Sequence, residues 1–148
     1  MFKPTKIVVP TDFSGHSDRA LEKALSIAQQ TGGEITLLHV ISRDVRECAS
    51  DYCFTPEELN RLKKGMVESS EARLKDQLEK FPDLQTAKLV SVVRQGVPYE
   101  EILKFQVDNN TDLIIIASHG HSGLIKYLMG SVASKVVEGA TCDVLLVK

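Results

Sequence analysis

The chain has 148 residues, 43% apolar, 26% charged and 5% aromatic, the make-up of a single soluble globular domain spanning 1–148. A chain of this length buries roughly 70% of its unfolded surface on folding, so it needs neither disulfides nor a structural metal. Lys plus Arg is 18 and Asp plus Glu is 20, a formal net charge of −2 that makes no electrostatic case for nucleic acid or an anionic membrane. No run approaches the ~18 consecutive apolar residues of a membrane span, and the opening MFKPTKIVVPTDFS lacks the apolar core of a secretory signal. The expected location is the cytoplasm. Three cysteines, Cys48, Cys53 and Cys142, fit reduced thiols better than a disulfide framework.

Short β-branched runs alternate with stretches of helical period. KIVVP (6–10) predicts a first strand. A helix over 16–31 follows, with Ala20, Leu21, Ala24, Leu25 and Ala28 on one stripe and Gly32 and Gly33 ending it. EITLLHV (34–40) is the second strand, and residues 42–54 read as a long loop. Thr55, Pro56 and Glu58 then form a capping box leading a second helix with Leu59, Leu62, Met66, Leu74 and Leu78 inward. AKLVSVV (87–93) gives a third strand, Pro98 opens a third helix with Ile102 and Leu103 inward, and DLIIIA (112–117) gives a fourth strand. A fourth helix from about Ser131 to Glu138 stops at Gly139, and DVLLV (143–147) closes the chain as a fifth strand. IVV and LIII are apolar at consecutive positions, as strands covered on both faces must be. The pattern predicts a doubly wound, open, parallel five-stranded α/β sheet of order 3-2-1-4-5 with helices on both faces.

In such sheets ligands bind beyond the carboxyl ends of the strands, where the strand order reverses. The segments at that point are Pro10, Thr11 and Asp12 after the first strand, and Ser118 to Ser131 after the fourth. The second segment holds Gly120, Gly123 and Gly130 and runs into a helix start, where the amides near Gly130, Ser131 and Val132 lack intrahelical partners. Those are phosphate-binding features, with a flexible glycine turn as the equal alternative. A helix terminus contributes about 0.3–2 kcal/mol toward an anion, whereas micromolar affinity requires about 8 kcal/mol, so a base and a ribose must bind too. Asp12 offers an acceptor for hydroxyls or an amine, and Val40 an apolar wall. There is no GxxxxGK[ST] phosphate loop, and PTDFSG stands where a dinucleotide GxGxxG would follow the first strand. Arg94 and Gln95 occupy the end of the third strand, where a phosphoacceptor receiver would carry aspartate.

At these residues the chain resembles the universal stress protein family over essentially its whole length. IVVPTDFS with Asp12, LLHV with Val40, LIIIASHG into GSVASKVV, and CDVLLVK carry the resemblance. The nucleotide-binding branch of that family is marked by a glycine, two residues, a glycine, nine residues, then Gly followed by Ser or Thr. Gly120, Gly130 and Ser131 match, and Ala117 replaces the first glycine. The resemblance implies that Asp12 and Val40 hold the adenine and ribose of ATP, with ADP or AMP as alternatives, while Gly120, Gly130, Ser131 and Val132 wrap the phosphates. Ala117 predicts weakened or retained binding, not its loss. His119 and His121 are expected to donate toward phosphate. Slow hydrolysis or phosphorylation of Ser131 with Mg2+ or Mn2+ held mainly by the phosphates, and a homodimer through Asp143–Val147, also follow from the resemblance.

The expected function is an adenine-nucleotide-dependent stress-response sensor or switch. The alternative is a nucleotide-free dimeric module that docks a partner protein. His119 and His121 with Cys48 and Cys53 make only a weak metal pattern, and no metal site built from them is expected. Redox chemistry at Cys48 and Cys53 is a minor reading because no adjacent lysine or histidine marks a depressed thiol pKa. His16 and His39 read as structural, Cys142 as a small packed residue, and the stripe Leu124, Ile125, Leu128, Met129 as core or dimer packing ahead of partner docking.

Overall fold

The β-branched runs assemble into a parallel five-stranded sheet of order β3-β2-β1-β4-β5. The computed structural model describes residues 1–42, 54–82, 87–120 and 128–148. In chain order the elements are β1 (Lys6–Pro10), α1 (Gly15–Thr31), β2 (Glu34–Ser42), α2 (Pro56–Glu79), β3 (Lys88–Gly96), α3 (Pro98–Asp108), β4 (Leu113–Ala117), α4 (Ser131–Gly139) and β5 (Asp143–Val147). β2 and β3 run past their apolar stretches because their ladder continues from Glu34↔Lys88 to Ser42↔Gly96.

Alternation along the central strands sorts the core into two layers. Ile7 and Val9 of β1, Ile35 and Leu37 of β2 and Leu113 and Ile115 of β4 pack under α1 and α2. Val8, Leu38, Val40, Ile114 and Ile116 pack on the other face against Ile102 and Phe105 of α3 and Ala133 and Val136 of α4. Successive side chains point to opposite faces, so consecutive apolar residues fill both layers. Local signals set the helix ends as read: Gly32 closes α1 in the left-handed region at φ 74°, and Thr55 and Glu58 form the reciprocal capping box of α2.

α2 departs from its apolar pattern. Of the residues expected inward only Leu74 is fully buried, and Leu62 stays 42% exposed. The buried positions are Ser70, Leu74 and Gln77, all in the second half of the helix. α2 packs on β2 and on β3, which is an edge strand, so among the described residues no further strand covers its first turns. The stripe ahead of α4 is described only in part. Leu128 and Met129 are 61% and 38% exposed and lie outside any helix, while Leu124 and Ile125 fall outside the described residues.

Candidate functional site

β1 pairs with β2 across five positions but with β4 only at Ile7↔Leu113 and Val8↔Ile114. The carboxyl ends of β1 and β4 therefore separate at the point where the strand order reverses, and a cavity of about 320 Å³ opens there. That volume falls within the range of small-molecule sites, about 300–1,000 Å³.

One wall is the turn after β1, with Pro10, Thr11 and Asp12. Asp12 Oδ1 accepts from the Ser14 N–H at 3.0 Å and from the Ser14 hydroxyl. Phe13 takes φ 65°, a conformation costing a bulky residue about 1–3 kcal/mol unless its surroundings enforce it. They do: its N–H donates to Thr11 Oγ1 at 3.0 Å, and its ring lies 4.3 Å from that of His39 with the Arg73 guanidinium 4.1 Å above. The His39 Nδ1 bonds the Thr11 carbonyl at 2.9 Å. A carbonyl only accepts, so Nδ1 carries the proton. Burial pushes the His39 pKa below the ordinary imidazole value, against the raising effect of the Thr11 bond.

The facing wall comes from the end of β4 and the start of α4, with Ala117, His119, Gly120, Gly130, Ser131 and Val132. Gly130 precedes α4 without a side chain to cap it, leaving the first-turn amides for a ligand. Its own N–H donates to the Ser118 carbonyl at 2.7 Å, which pins the helix start to the end of β4. A Cβ at Gly130 would stand 3.3 Å from that carbonyl. A Cβ at Gly120 would overlap Asp12 Oδ2, so glycine is what lets the two walls approach. The Ser118 hydroxyl lies 2.8 Å from His119 Nδ1, and the buried Nε2 of that ring has no hydrogen-bond partner among the described groups.

Every expected site residue except His121 therefore lines one cavity; His121, Lys126, Cys48 and Cys53 lie outside the described residues. Val40 shares its wall with Leu38 and His39, and Pro98 and Ile102 of α3 add an apolar side. Those last four escaped sequence reading, although Pro98 directly follows β3 and the carboxyl-end rule would have pointed to it. His16 stands half-buried with its ring 6.0 Å from that of His119. Cys142 donates to Gln106 Oε1 at 3.1 Å, and burial raises its thiol pKa.

Together these features define a doubly wound α/β protein with a glycine-walled cleft at its switch point. The chain belongs to the universal stress protein family, whose model matches residues 3–148. It is 32% identical to universal stress protein MJ0577 of Methanocaldococcus jannaschii, over 97% of this chain and 94% of that one. It is 31% identical to universal stress protein YxiE of Bacillus subtilis, covering 97% and 98% of the two chains. The solved structure of MJ0577 superposes with a TM-score of 0.81 at 30% identity, covering 97% and 95%. A universal stress protein of Archaeoglobus fulgidus in complex with dAMP shares the fold at a TM-score of 0.60 and 20% identity, covering 97% and 98%.

Proposed function

We propose that the cleft binds an adenine nucleotide, ATP first, and that the protein acts in the cytoplasm as a nucleotide-dependent sensor or switch of the stress response. The observation that carries this reading is the meeting of two chemically different half-sites across one cavity. Asp12 offers carboxylate oxygens to ribose hydroxyls, and the uncapped start of α4 offers amides and a positive dipole end to phosphate. His119 supplies a further donor on the phosphate side, and Val40, Pro98 and Ile102 an apolar lining for the base. Ala117 lines the same cavity, and its single methyl group is the mildest replacement of a glycine there. The dAMP complex of the Archaeoglobus protein is a property of that protein and at its identity speaks for the fold; the ligand reading rests on this chain's own site. In this reading Mg2+ or Mn2+ enters on the phosphates of the nucleotide. No described helix is long and apolar enough to cross a membrane. β5 is an edge strand, and the same reading takes it as the contact with a second copy of the chain.

The test is release of small molecules from freshly purified, denatured protein, read by liquid chromatography with mass spectrometry, then ATP calorimetry on stripped protein. Recovery of ATP or ADP near one per chain, or saturable binding, is expected, and Gly130→Asp should abolish it while the fold persists. A wild-type protein that is empty and binds no ATP with Mg2+ would refute the reading. Attention would then turn to Leu128 and Met129 as a partner-docking surface.

A further inference from the structure

We infer that Gln77, buried on α2, is a positioning residue that fixes the Asp12 turn for the nucleoside end of the ligand. The inference rests on the nucleotide reading of the cleft and adds to it a residue that lies outside the cavity wall.

Gln77 is 2% exposed on a helix whose surface is otherwise mostly in solvent. Its Nε2 donates to Asp18 Oδ1 at 2.8 Å, and Asp18 is itself held through Oδ2 by Lys80 Nζ at 2.9 Å. A carboxylate only accepts, so the amide cannot turn over. Gln77 Oε1 must then face Thr11, whose hydroxyl donates to it at 2.8 Å. With its proton committed, Thr11 Oγ1 keeps its lone pairs for the Phe13 N–H at 3.0 Å. Donors thus run one way, from the Phe13 amide through Thr11 and Gln77 to Asp18.

This chain passes through the two residues flanking Asp12. Thr11 is held as well by its N–H, which donates to the Leu38 carbonyl at 2.9 Å, by its carbonyl, which accepts from the His39 ring, and by Ser17 Oγ, 3.0 Å from its hydroxyl. Phe13 needs enforcement to stay at φ 65°, and one more clamp on it, Arg73, also comes from α2. The same helix therefore orients the Thr11 hydroxyl and covers the Phe13 ring, while the start of α4 on the opposite wall is pinned separately through Ser118. Loss of Gln77 should free the Asp12 turn and leave the phosphate side in place.

The experiment measures Kd for ATP and adenosine, and competition by tripolyphosphate, at a temperature well below melting, for wild type, Gln77→Leu, Thr11→Val and the double variant. Gln77→Leu should weaken ATP and adenosine by the same factor, about three- to tenfold for one buried hydrogen bond, with tripolyphosphate unchanged. The double variant should lose no more than Thr11→Val alone, because Thr11→Val already removes the bond to Gln77 together with those to the Phe13 N–H and Ser17. A purely structural Gln77 would lower Tm and leave adenosine affinity intact, which overturns the inference. An equal loss for adenosine and tripolyphosphate overturns it as well. Should Gln77→Leu not fold, Thr11→Val is judged by the same outcomes from the other end of the bond. Wild-type protein that binds no nucleotide removes both the cleft reading and this inference, whereas unchanged affinity in the variants removes only the latter.

Discussion

Replacing Gly120 with alanine adds one methyl group where Asp12 Oδ2 already stands. Asp12 cannot simply rotate away, because Oδ1 is tied to the backbone N–H and hydroxyl of Ser14, and its Cγ lies 3.6 Å from the new atom. The carboxylate must leave its position or the turn after β4 must retreat, and either separates the cleft's two walls. If Asp12 bonds the ribose, the loss is that of a hydrogen bond to a charged group, about 1.5–3 kcal/mol, or about ten- to 150-fold in Kd. Global stability should change far less. Gly120 has no positive φ to strain an alanine, and the reduced freedom of the unfolded chain contributes about 0.4–1 kcal/mol against the local clash. For a chain of this size that corresponds to a Tm change within about 4 °C. Calorimetric titration with ATP and adenosine, beside thermal melts followed by circular dichroism, separates the two effects. Gly120→Ala binding both ligands with wild-type Kd would refute the claim that closeness of Gly120 to Asp12 shapes the site.

Other consequences follow from the same structure. Gly65 sits inside α2 with no heavy atom within 4 Å of an added Cβ, so Gly65→Ala should raise stability by about 0.5–1 kcal/mol in urea denaturation and leave nucleotide binding alone. Thr55→Ala removes the hydroxyl half of the α2 capping box and should lower stability by about 0.5–2 kcal/mol, with Thr55→Ser near wild type by the same assay. His39 has its pKa lowered by burial, so the unfolded chain binds its proton more readily than the native state does. The stability it contributes is complete above the ordinary imidazole value of about 6.5 and is lost as pH falls through the depressed one. The Tm of His39→Gln should therefore decline less than wild type between about pH 6.5 and 5, below which carboxylates dominate; parallel curves would contradict this.

Much of the molecule is legible from residues within four positions of one another. Helix starts and stops at Thr55 and Gly32 depend on bonds to the adjacent turn, and strand faces depend on alternation, so capping and periodicity placed the elements, while the sheet order and switch point came from the doubly wound topology that their alternation implies. Asp12, Gly120, Gly130 and Ser131 were identifiable because topology sends the ends of β1 and β4 to one crevice. The rest required the docked helices. Nothing local marks Gln77 as buried or Leu62 as exposed, since burial on α2 depends on where its axis crosses an edge strand. The Thr11 to Gln77 bond joins residues 66 apart, and the left-handed turn at Phe13 is clamped by Arg73 and His39, which arrive from two other elements, as well as by the local bond to Thr11. Local chemistry selects the conformations available to a segment; the packing of distant segments selects which strained one persists.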